Sequence, residues 1–250
     1  MLGAVFVLMP AYNAGATIEK VFARIPAAVR ETIGRYVVVD DGSADGTQAA
    51  LARLQTQHPG LVALTHSTNR GYGGAAKTLL SYALAHKADA AIFLHSDGQY
   101  SPEKIPELLR PIEEDTADIV QGSRMLGGGA LKGGMPLYKY LANKALTAIE
   151  NWAFGMKLAE YHSGYMLYSK RALESIPFQS LSDSFDFDLE MIVMAHVKGL
   201  RIAEIAIPTI YADETSHLRP IHYGLRVLSV VWSYKRQKYA RLGRETFGSG

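Results

Sequence analysis

The sequence contains no cysteine, and this absence excludes disulfide bonds, thiolate nucleophiles and cysteine-ligated metal sites. It has no apolar run of the roughly 18–20 residues that a membrane-spanning helix requires. The first residues lack the basic flank and long apolar core of a signal peptide. The formal net charge is only +2, so no general attraction to nucleic acid is expected. Together these absences predict a cytoplasmic protein without a nucleic-acid partner.

Apolar and helical segments alternate along the first half of the chain. Five short apolar runs predict strands, at residues 5–9, 36–39, 61–64, 90–94 and 119–121. The helical patterns between them lie at 17–29 (interrupted at Pro26), from Asp45 or Thr47 to Gln57, at 72–86 and at 102–113. This alternation is typical of an α/β fold with a doubly wound, mostly parallel sheet flanked by helices. The length of 250 residues suits one such domain, or one domain with a C-terminal extension.

The second half has a less regular pattern. Residues 124–136 include five glycines, which predict a mobile loop. Helices are expected at 137–154 and 186–197, a strand pair or an edge strand at 161–169, and a strand at 201–207. A last helix is expected at about 223–242, followed by a flexible tail.

The segment AAIFLHSDGQYSPE at 90–103 changes abruptly from an apolar strand to a polar cluster: His95, Ser96, Asp97 and Gln99. In open α/β sheets, ligands bind at the carboxyl ends of the strands. A carboxylate, an amide oxygen and an imidazole at such an end can hold a divalent cation. Asp97, Gln99 and His95 are therefore the candidate metal ligands. The alternative for His95 is a hydrogen-bonded structural pair with an aspartate.

Two further segments follow predicted strands. Asp40 and Asp41 end the second strand, and adjacent carboxylates there could accept the N–H donors of uracil or guanine. The segment NRGYGGAAK at 69–77 places three glycines at a helix start, where backbone N–H groups could meet a phosphate or a ribose. The alternative is a loop in which glycine permits a close contact between the helix and the sheet. After the first strand stands PAYN, without the glycine-rich turn of a dinucleotide-binding fold.

An acidic cluster, SDSFDFDLE, precedes and opens the helix expected at 186–197. Its carboxylates could cap the helix and interact with its dipole. One of them could instead reach the site as a general base or an acceptor anchor. The sequence leaves both interpretations open for Asp186, Asp188 and Glu190.

In this order and spacing, the motifs resemble family 2 glycosyltransferases with the GT-A fold. The motifs are PAYN at 10–13, VVDDGSADGT at 38–47, NRGYGGAAK at 69–77, SDGQYSPE at 96–103, GSR at 122–124 and SGY at 163–165. Within the family, the chain is most similar to the branch that glycosylates polyprenyl phosphates. The resemblance implies an inverting hexosyl transfer from a UDP- or GDP-sugar to a dolichyl or undecaprenyl phosphate. It also implies Mg²⁺ or Mn²⁺ on the diphosphate of the donor.

The resemblance assigns roles to individual residues. Nucleotide-sugar binding is expected of Pro10, Tyr12, Asn13, Asp40, Asp41, Asn69, Gly71, Lys77 and Ser96. Arg124 would meet the acceptor phosphate or the departing one, and Glu190 is the acid of the acceptor-side helix. A phosphate acceptor is already anionic and needs positioning more than deprotonation. A hydroxyl acceptor would need a base, for which Asp188 or Asp186 is expected.

The chain departs from the family pattern at three places. His95 replaces the first aspartate of the usual Asp-x-Asp metal motif, and imidazole suits Mn²⁺ better than Mg²⁺. Ala14 replaces a glutamate after PAYN, and Met166 replaces an arginine that often follows SGY in this branch. These departures leave two alternatives open: transfer to a saccharide hydroxyl, and a non-catalytic protein that binds nucleotide sugars.

The resemblance also divides the chain. Residues 1–222 would form the catalytic domain, with a nucleotide-binding half at about 1–122 and an acceptor-binding half at about 123–222. Residues 223–250 would form an amphipathic basic helix and a tail. This composition suits contact with anionic headgroups at the cytoplasmic face of a membrane, and the helix at 137–154 is a second candidate for such contact. The alternative is a helix packed on the core with a solvated basic end.

Overall fold

The computed structural model describes residues 3–208 and 220–245. In this part of the chain, seven strands form one sheet. They are β1 (Val5–Ala11), β2 (Ile33–Asp40), β3 (Leu61–Thr65), β4 (Ala90–Phe93), β5 (Ile119–Ser123), β6 (Met166–Ser169) and β7 (Ile202–Ala206). Their order is β3-β2-β1-β4-β6-β5-β7, and only β6 runs antiparallel to its neighbours. The predicted α/β fold with a mostly parallel sheet is confirmed.

Helices cover the two faces of this sheet. The first part of the chain forms α1 (Ile18–Arg24), α2 (Ala27–Thr32), α3 (Thr47–Gln57), α4 (Gly71–Ala85) and α5 (Ile105–Glu113). The second part forms α6 (Gly129–Lys132), α7 (Leu137–Phe154), α8 (Lys170–Ser175), α9 (Phe187–Val197), α10 (Pro220–Lys235) and α11 (Lys238–Glu245). The break between α1 and α2 lies at Pro26, as predicted.

The strands are apolar on both sides because both faces of the sheet are buried. Leu8 and Val37 face one hydrophobic cluster, which includes α4, α9 and α10. Val7 and Val38, their neighbours in the sequence, face a second cluster with α1, α3 and α5. Successive residues of a strand point to opposite faces, so a continuous apolar run fills both layers.

The prediction of a strand pair or an edge strand at 161–169 is wrong. Only Met166–Ser169 is a strand, and it lies inside the sheet between β4 and β5. The side chains of Tyr161 and Tyr165, which precede and adjoin it, are fully buried. Met166 is also fully buried, so the position where the resemblance expects an arginine belongs to the core.

The segment 124–136 is not a plain loop. Leu126–Gly128 forms a 3₁₀ turn, and α6 follows it directly. Met125, Ala130 and Met135 pack together in a small apolar cluster. These apolar residues order the segment despite its five glycines.

The C-terminal helix predicted as one element is two. α10 ends at Lys235, and Gln237 adopts a positive φ of 59° before α11 begins. Residues 246–250 of the predicted tail lie outside the described residues. Within 3–208 and 220–245, no helix is both long and apolar enough to span a membrane.

Candidate active site

Hydrogen bonds join the carboxyl ends of three neighbouring parallel strands. The backbone N–H of Asp41, after β2, donates to the carbonyl of Ala11 at the end of β1 (2.8 Å). The hydroxyl of Ser96, after β4, donates to the carbonyl of Pro10 (2.9 Å). The structure therefore brings the predicted nucleotide-binding residues Pro10, Asp41 and Ser96 to one edge of the sheet.

The two adjacent carboxylates after β2 have different surroundings. Asp41 accepts from the backbone N–H of Arg70 (2.9 Å), and its Oδ1 lies 2.6 Å from Nδ1 of His66. Asp40 is fully buried and accepts from the N–H of Ser43 (3.0 Å). Its second oxygen, Oδ2, is buried without a hydrogen-bond partner among the described residues. Since such an oxygen is costly to leave unpaired, Asp40 is placed to accept a donor from a ligand.

The PAYN segment is tied to the loop after β2. The N–H of Asn13 donates to the hydroxyl of Ser43 (2.9 Å), and Oδ1 of Asn13 accepts from the N–H of Ala44 (3.1 Å). Tyr12 is exposed beside it. Asn13 therefore fixes the loop, while Tyr12 offers an open aromatic surface at the strand ends.

The glycine-rich start of α4 makes a close contact with the loop before α9. A Cβ atom on Gly73 would lie 2.3 Å from the carbonyl oxygen of Ser182. Lys77 donates to the carbonyl of Leu181 (2.5 Å) and pairs with Asp183 (2.7 Å). Gly73 therefore permits a close contact of the helix, but with the loop before α9 rather than with the sheet, and Lys77 is occupied by the same loop. Asn69 accepts from the N–H of Gly71 (2.9 Å), which orders the turn before the helix.

The candidate metal ligands separate into two environments. Asp97 and Gln99 are both half-buried, and Oδ1 of Asp97 accepts from the N–H of Gln99 (3.0 Å). The ring of His95 lies between Tyr72 and Tyr100, with centroid distances of 5.4 and 5.0 Å. Burial lowers the pKa of His95 and so favours the neutral imidazole, although the nearby charge of Asp97 acts in the opposite direction.

A metal cage built from protein side chains alone is not present in the described part of the chain, which holds no cluster of three or more His, Asp or Glu side chains suited to a metal. Magnesium commonly takes one or two protein carboxylates and completes its shell with water and substrate phosphates. The half-buried oxygens of Asp97 and Gln99 fit a divalent ion of that kind.

Asp188, in the first turn of α9, lies in the same aromatic pocket as His95. The hydroxyl of Tyr72 donates to its Oδ2 (2.7 Å), whereas Oδ1 is buried without a partner among the described residues. Burial raises the pKa of Asp188 to about 7, although the bond from Tyr72 lowers it. A Cβ atom on Gly164 would lie 2.9 Å from Nε2 of His95 and 3.3 Å from Oδ2 of Asp188. Gly164 therefore lets the two side chains approach each other.

The other two acids of α9 are bound to different groups. Asp186 accepts from the hydroxyl of Ser182 (2.9 Å) and from Arg226 (3.2 Å). Glu190 accepts from the hydroxyl of Tyr239 (2.6 Å) and from the backbone of Ser182 (2.5 Å). These contacts connect α9 to the helices α10 and α11, and they set both acids apart from the aromatic pocket of Asp188.

Arg124 follows β5 and is held by a buried carboxylate. Glu160, fully buried, accepts from the backbone N–H (2.8 Å), Nε (3.0 Å) and Nη2 of Arg124. Nη2 also donates to the carbonyl of His162 (2.5 Å), and Asn143 of α7 donates to Glu160 (3.1 Å). The guanidinium thus has a fixed orientation at the end of β5.

Sequence reasoning did not name several residues of this site. Tyr72, Tyr100 and Gly164 lie within the motifs NRGYGGAAK, SDGQYSPE and SGY, so the sequence contains a local signal for their positions. His66 and Glu160 have no local pattern that points to a site. Their roles depend on contacts between residues that are far apart in the sequence.

Comparison with known proteins identifies the family. Residues 6–176 match the family described as Glycosyl transferase family 2. The chain belongs to this family. An uncharacterised protein of Methanocaldococcus jannaschii is 32% identical over 209 residues, which span 84% of this chain and 82% of that protein.

Two relatives of this family 2 glycosyltransferase have assigned activities. A UDP-N-acetylglucosamine–dolichyl-phosphate N-acetylglucosaminyltransferase of Methanococcus voltae is 29% identical over 84% of this chain and 86% of that enzyme. An undecaprenyl-phosphate mannosyltransferase of Micrococcus luteus is 28% identical over 81% of this chain and 82% of that enzyme. The prediction that the chain is a glycosyltransferase is confirmed, and the non-catalytic alternative is not retained.

Solved structures confirm the GT-A fold of this family 2 glycosyltransferase. Glucosyl-3-phosphoglycerate synthase from Mycobacterium tuberculosis, in complex with Mn²⁺, UDP and phosphoglyceric acid, superposes with a TM-score of 0.68. The match covers 92% of this chain and 78% of that chain at 19% sequence identity.

Proposed function

We propose that this glycosyltransferase moves a hexose from a UDP- or GDP-sugar to a polyprenyl phosphate, with inversion at the anomeric carbon. The observation that supports this acceptor is the match to the Methanococcus and Micrococcus enzymes over more than 80% of each chain. Both of those enzymes are named for transfer to a polyprenyl phosphate. A match of this extent includes the acceptor half as well as the nucleotide half.

The donor base would bind at the ends of β1 and β2. The unpartnered Oδ2 of Asp40 would accept an N–H of uracil or guanine, since both bases present one. Tyr12 offers an exposed ring beside it, and Ser96 fixes the neighbouring strand end. Asp41, Asn13, Asn69, Gly71 and Lys77 would act indirectly, through the loops that their hydrogen bonds hold.

Asp97 and Gln99 would hold Mg²⁺ or Mn²⁺ against the donor diphosphate. When bound, the cation neutralises charge on the leaving diphosphate. His95 is not included among the ligands, because its ring is buried between two tyrosines and its Nε2 faces Gly164.

A phosphate acceptor needs orientation rather than deprotonation. One of its oxygens would attack the anomeric carbon as the bond to the diphosphate breaks, so the configuration inverts. Arg124, held by Glu160, would present positive charge to the acceptor phosphate or the departing one from a fixed direction. This pre-set orientation reduces the entropy lost on binding.

A second candidate function is transfer to a saccharide hydroxyl. Asp188 favours it, because a carboxyl whose pKa is raised to about 7 suits a general base near neutral pH. Its unpartnered Oδ1 would accept the hydroxyl proton. Under this alternative Asp188 is required for transfer, and under the phosphate alternative it is not.

The experiment that separates these candidates uses the full chain with UDP-glucose, UDP-N-acetylglucosamine or GDP-mannose. Undecaprenyl phosphate, dolichyl phosphate and a set of oligosaccharides serve as acceptors, with Mg²⁺, Mn²⁺ or EDTA, and mass spectrometry detects the product. We expect a polyprenyl-phosphate hexose that disappears with EDTA and in Asp97→Asn. Removal of the exposed carboxylate of Glu113 on α5 (Glu113→Gln) is the control and should leave transfer intact. Transfer to saccharides alone would contradict the proposal.

A lipid acceptor requires contact with a membrane surface. We propose that the C-terminal region provides it, since residues 220–244 include six Lys or Arg residues and no Asp or Glu.

A further inference from the structure

Both tryptophans of the chain are exposed. Trp152, near the end of α7, is 78% exposed, and Trp232, in the last part of α10, is 57% exposed. Tryptophan is highly buried on average, since burial of its large ring is strongly favourable. Exposure of both rings on helices that contact each other indicates a surface with a partner.

Adjacent basic residues cover the two rings. Nζ of Lys235 lies 4.9 Å from the centroid of the Trp152 ring, and Cζ of Arg236 lies 3.9 Å from that of Trp232. Because Lys235 and Arg236 are neighbours in the sequence, both rings lie near the C-terminal end of α10. This places two aromatic rings and two cations in one part of the surface.

Apolar side chains extend this area along both helices. Leu137, Leu141 and Trp152 are exposed on α7, and Leu225, Leu228 and Trp232 are exposed on α10. Their spacings of three, four and eleven residues, each close to a whole number of helical turns, place them in one stripe on each helix. We call these six residues, together with Lys235 and Arg236, the Trp surface.

The charge of this region has one sign. Residues 220–244 contain no acid, and the one acid of α7, Glu150, is fully buried. The two helices themselves therefore contribute cations and apolar groups to the surface but no exposed carboxylate, although Asp186 of α9 pairs with Arg226 of α10 (3.2 Å). Two copies of such a surface would repel each other, whereas an anionic bilayer would attract it.

The opposite faces of the same helices contact the acceptor half of the site. Asn143 of α7 donates to Glu160, the carboxylate that holds Arg124 (3.1 Å). The hydroxyl of Tyr223 of α10 lies 3.0 Å from Nδ1 of His162, whose carbonyl accepts from Arg124. The Trp surface thus lies directly behind the elements that orient Arg124.

We propose that the Trp surface docks the enzyme on an anionic lipid bilayer, with both tryptophans at the level of the headgroups. Aromatic rings favour this interfacial position, and lysine and arginine bind the anionic headgroups around them. The inference joins α7 and the C-terminal region, which the sequence offered as separate candidates, into one surface of eight named residues. The inference rests on the proposed function, because a polyprenyl phosphate acceptor lies in a membrane.

The two tryptophans provide the probe. The full chain, without donor sugar, is mixed with phosphatidylcholine vesicles that contain or lack phosphatidylglycerol, and tryptophan emission is recorded. We expect a blue shift with phosphatidylglycerol and quenching when the acyl chains are brominated, both reduced by high salt.

The double variant Lys235→Glu, Arg236→Glu tests the contribution of charge. It retains both tryptophan rings and should weaken vesicle affinity at least about tenfold. Lys20→Glu with Arg110→Glu changes the net charge equally on exposed sites of α1 and α5, and should bind much like the parent.

Co-sedimentation of the double variant Trp152→Ala, Trp232→Ala with the same vesicles provides an independent measurement. Both side chains are exposed, so the fold should persist. We expect loss of vesicle binding with an unchanged thermal transition. Equal emission with both vesicle types, or no response to either, would overturn the inference. So would a dimer in lipid-free buffer that the double tryptophan variant converts to a monomer. Binding without transfer activity would instead contradict the proposed function alone, and transfer without binding would contradict the docking surface alone.

Discussion

The hydroxyl of Tyr72 donates a 2.7 Å hydrogen bond to Oδ2 of Asp188, joining residues 116 positions apart. The bond connects the first turn of α4 to the first turn of α9. It satisfies one oxygen of a buried carboxyl whose other oxygen has no partner among the described residues. Tyr72 thereby sets the orientation of the acid that lies with His95 beside Gly164.

Replacement of Asp188 by asparagine should change the pH dependence of stability. Burial raises the pKa of Asp188 from 3.8 to about 7, so the folded state binds its proton more tightly than the unfolded state. The parent should lose stability as pH rises through this window, and Asp188→Asn should lose less. Urea unfolding from about pH 4 to about pH 8 measures this difference. A difference in unfolding free energy between the parent and Asp188→Asn that stays constant from about pH 4 to about pH 8 would contradict the raised pKa of Asp188.

The same variant distinguishes the two acceptor classes. With a phosphate acceptor, Asp188→Asn should retain most of the turnover, since no proton has to be removed. With a hydroxyl acceptor, loss of a general base should reduce turnover by about 10²–10⁴-fold. Initial rates with each acceptor at fixed donor concentration are the measurement.

Gly164 should not tolerate a side chain. Alanine would place Cβ 2.7 Å from Cε1 of His95, a ring that two tyrosines hold in place. We expect Gly164→Ala to lose about 1–3 kcal/mol of stability and to displace His95 or Asp188. Gly60→Ala is the matched control, because no heavy atom lies within 4 Å of its added Cβ. Similar melting temperatures for Gly164→Ala and Gly60→Ala would contradict the close contact between residue 164 and the ring of His95.

The effect of a divalent metal on nucleotide binding should be lost when Asp97 is replaced and kept when His95 is replaced. Asp97→Asn should abolish the Mg²⁺- or Mn²⁺-dependent increase in melting temperature with UDP or GDP, since a carboxylate ligand is lost. His95→Gln should keep the metal preference of the parent. A changed preference between Mg²⁺ and Mn²⁺ in His95→Gln would establish His95 as a ligand.

Loss of the buried charge that holds Arg124 should be costly. Glu160→Gln leaves the guanidinium with a neutral partner in a largely buried position, and we expect a loss of about 3 kcal/mol. Glu107→Gln breaks the exposed pair with Lys104 and should change stability by less than about 1 kcal/mol. Chemical denaturation of both variants compares the two pairs directly. Equal losses would indicate that solvent reaches Arg124 freely.

The sequence predicted the strands up to β5 and the polar residues at their ends because both follow local patterns. Periodicity identifies a buried strand, and the end of an apolar run locates the edge of the sheet. The place of β6 could not be predicted, because it depends on pairing with β4 and β5 rather than on its own four residues.

The acids of α9 show a second limit. Asp186 and Glu190 are four positions apart and lie on one side of the helix, whereas Asp188 lies on the other. Helical spacing alone separates Asp188 from the other two. Which side faces the pocket depends on tertiary packing against Tyr72, and no local pattern contains that information.

Among the described strands, β5 pairs with β6 and β7, and both are synthesised after it. A nascent chain that ends before Met166 can pair β1 to β4 but offers β5 no neighbour. During translation, the edge of β4 stays open until residues 166–169 emerge and insert beside it. Joining of β5 to the rest of the sheet through β6 is therefore a late event on the ribosome, and the open β4 edge is the place where an incomplete chain is most exposed to wrong pairing.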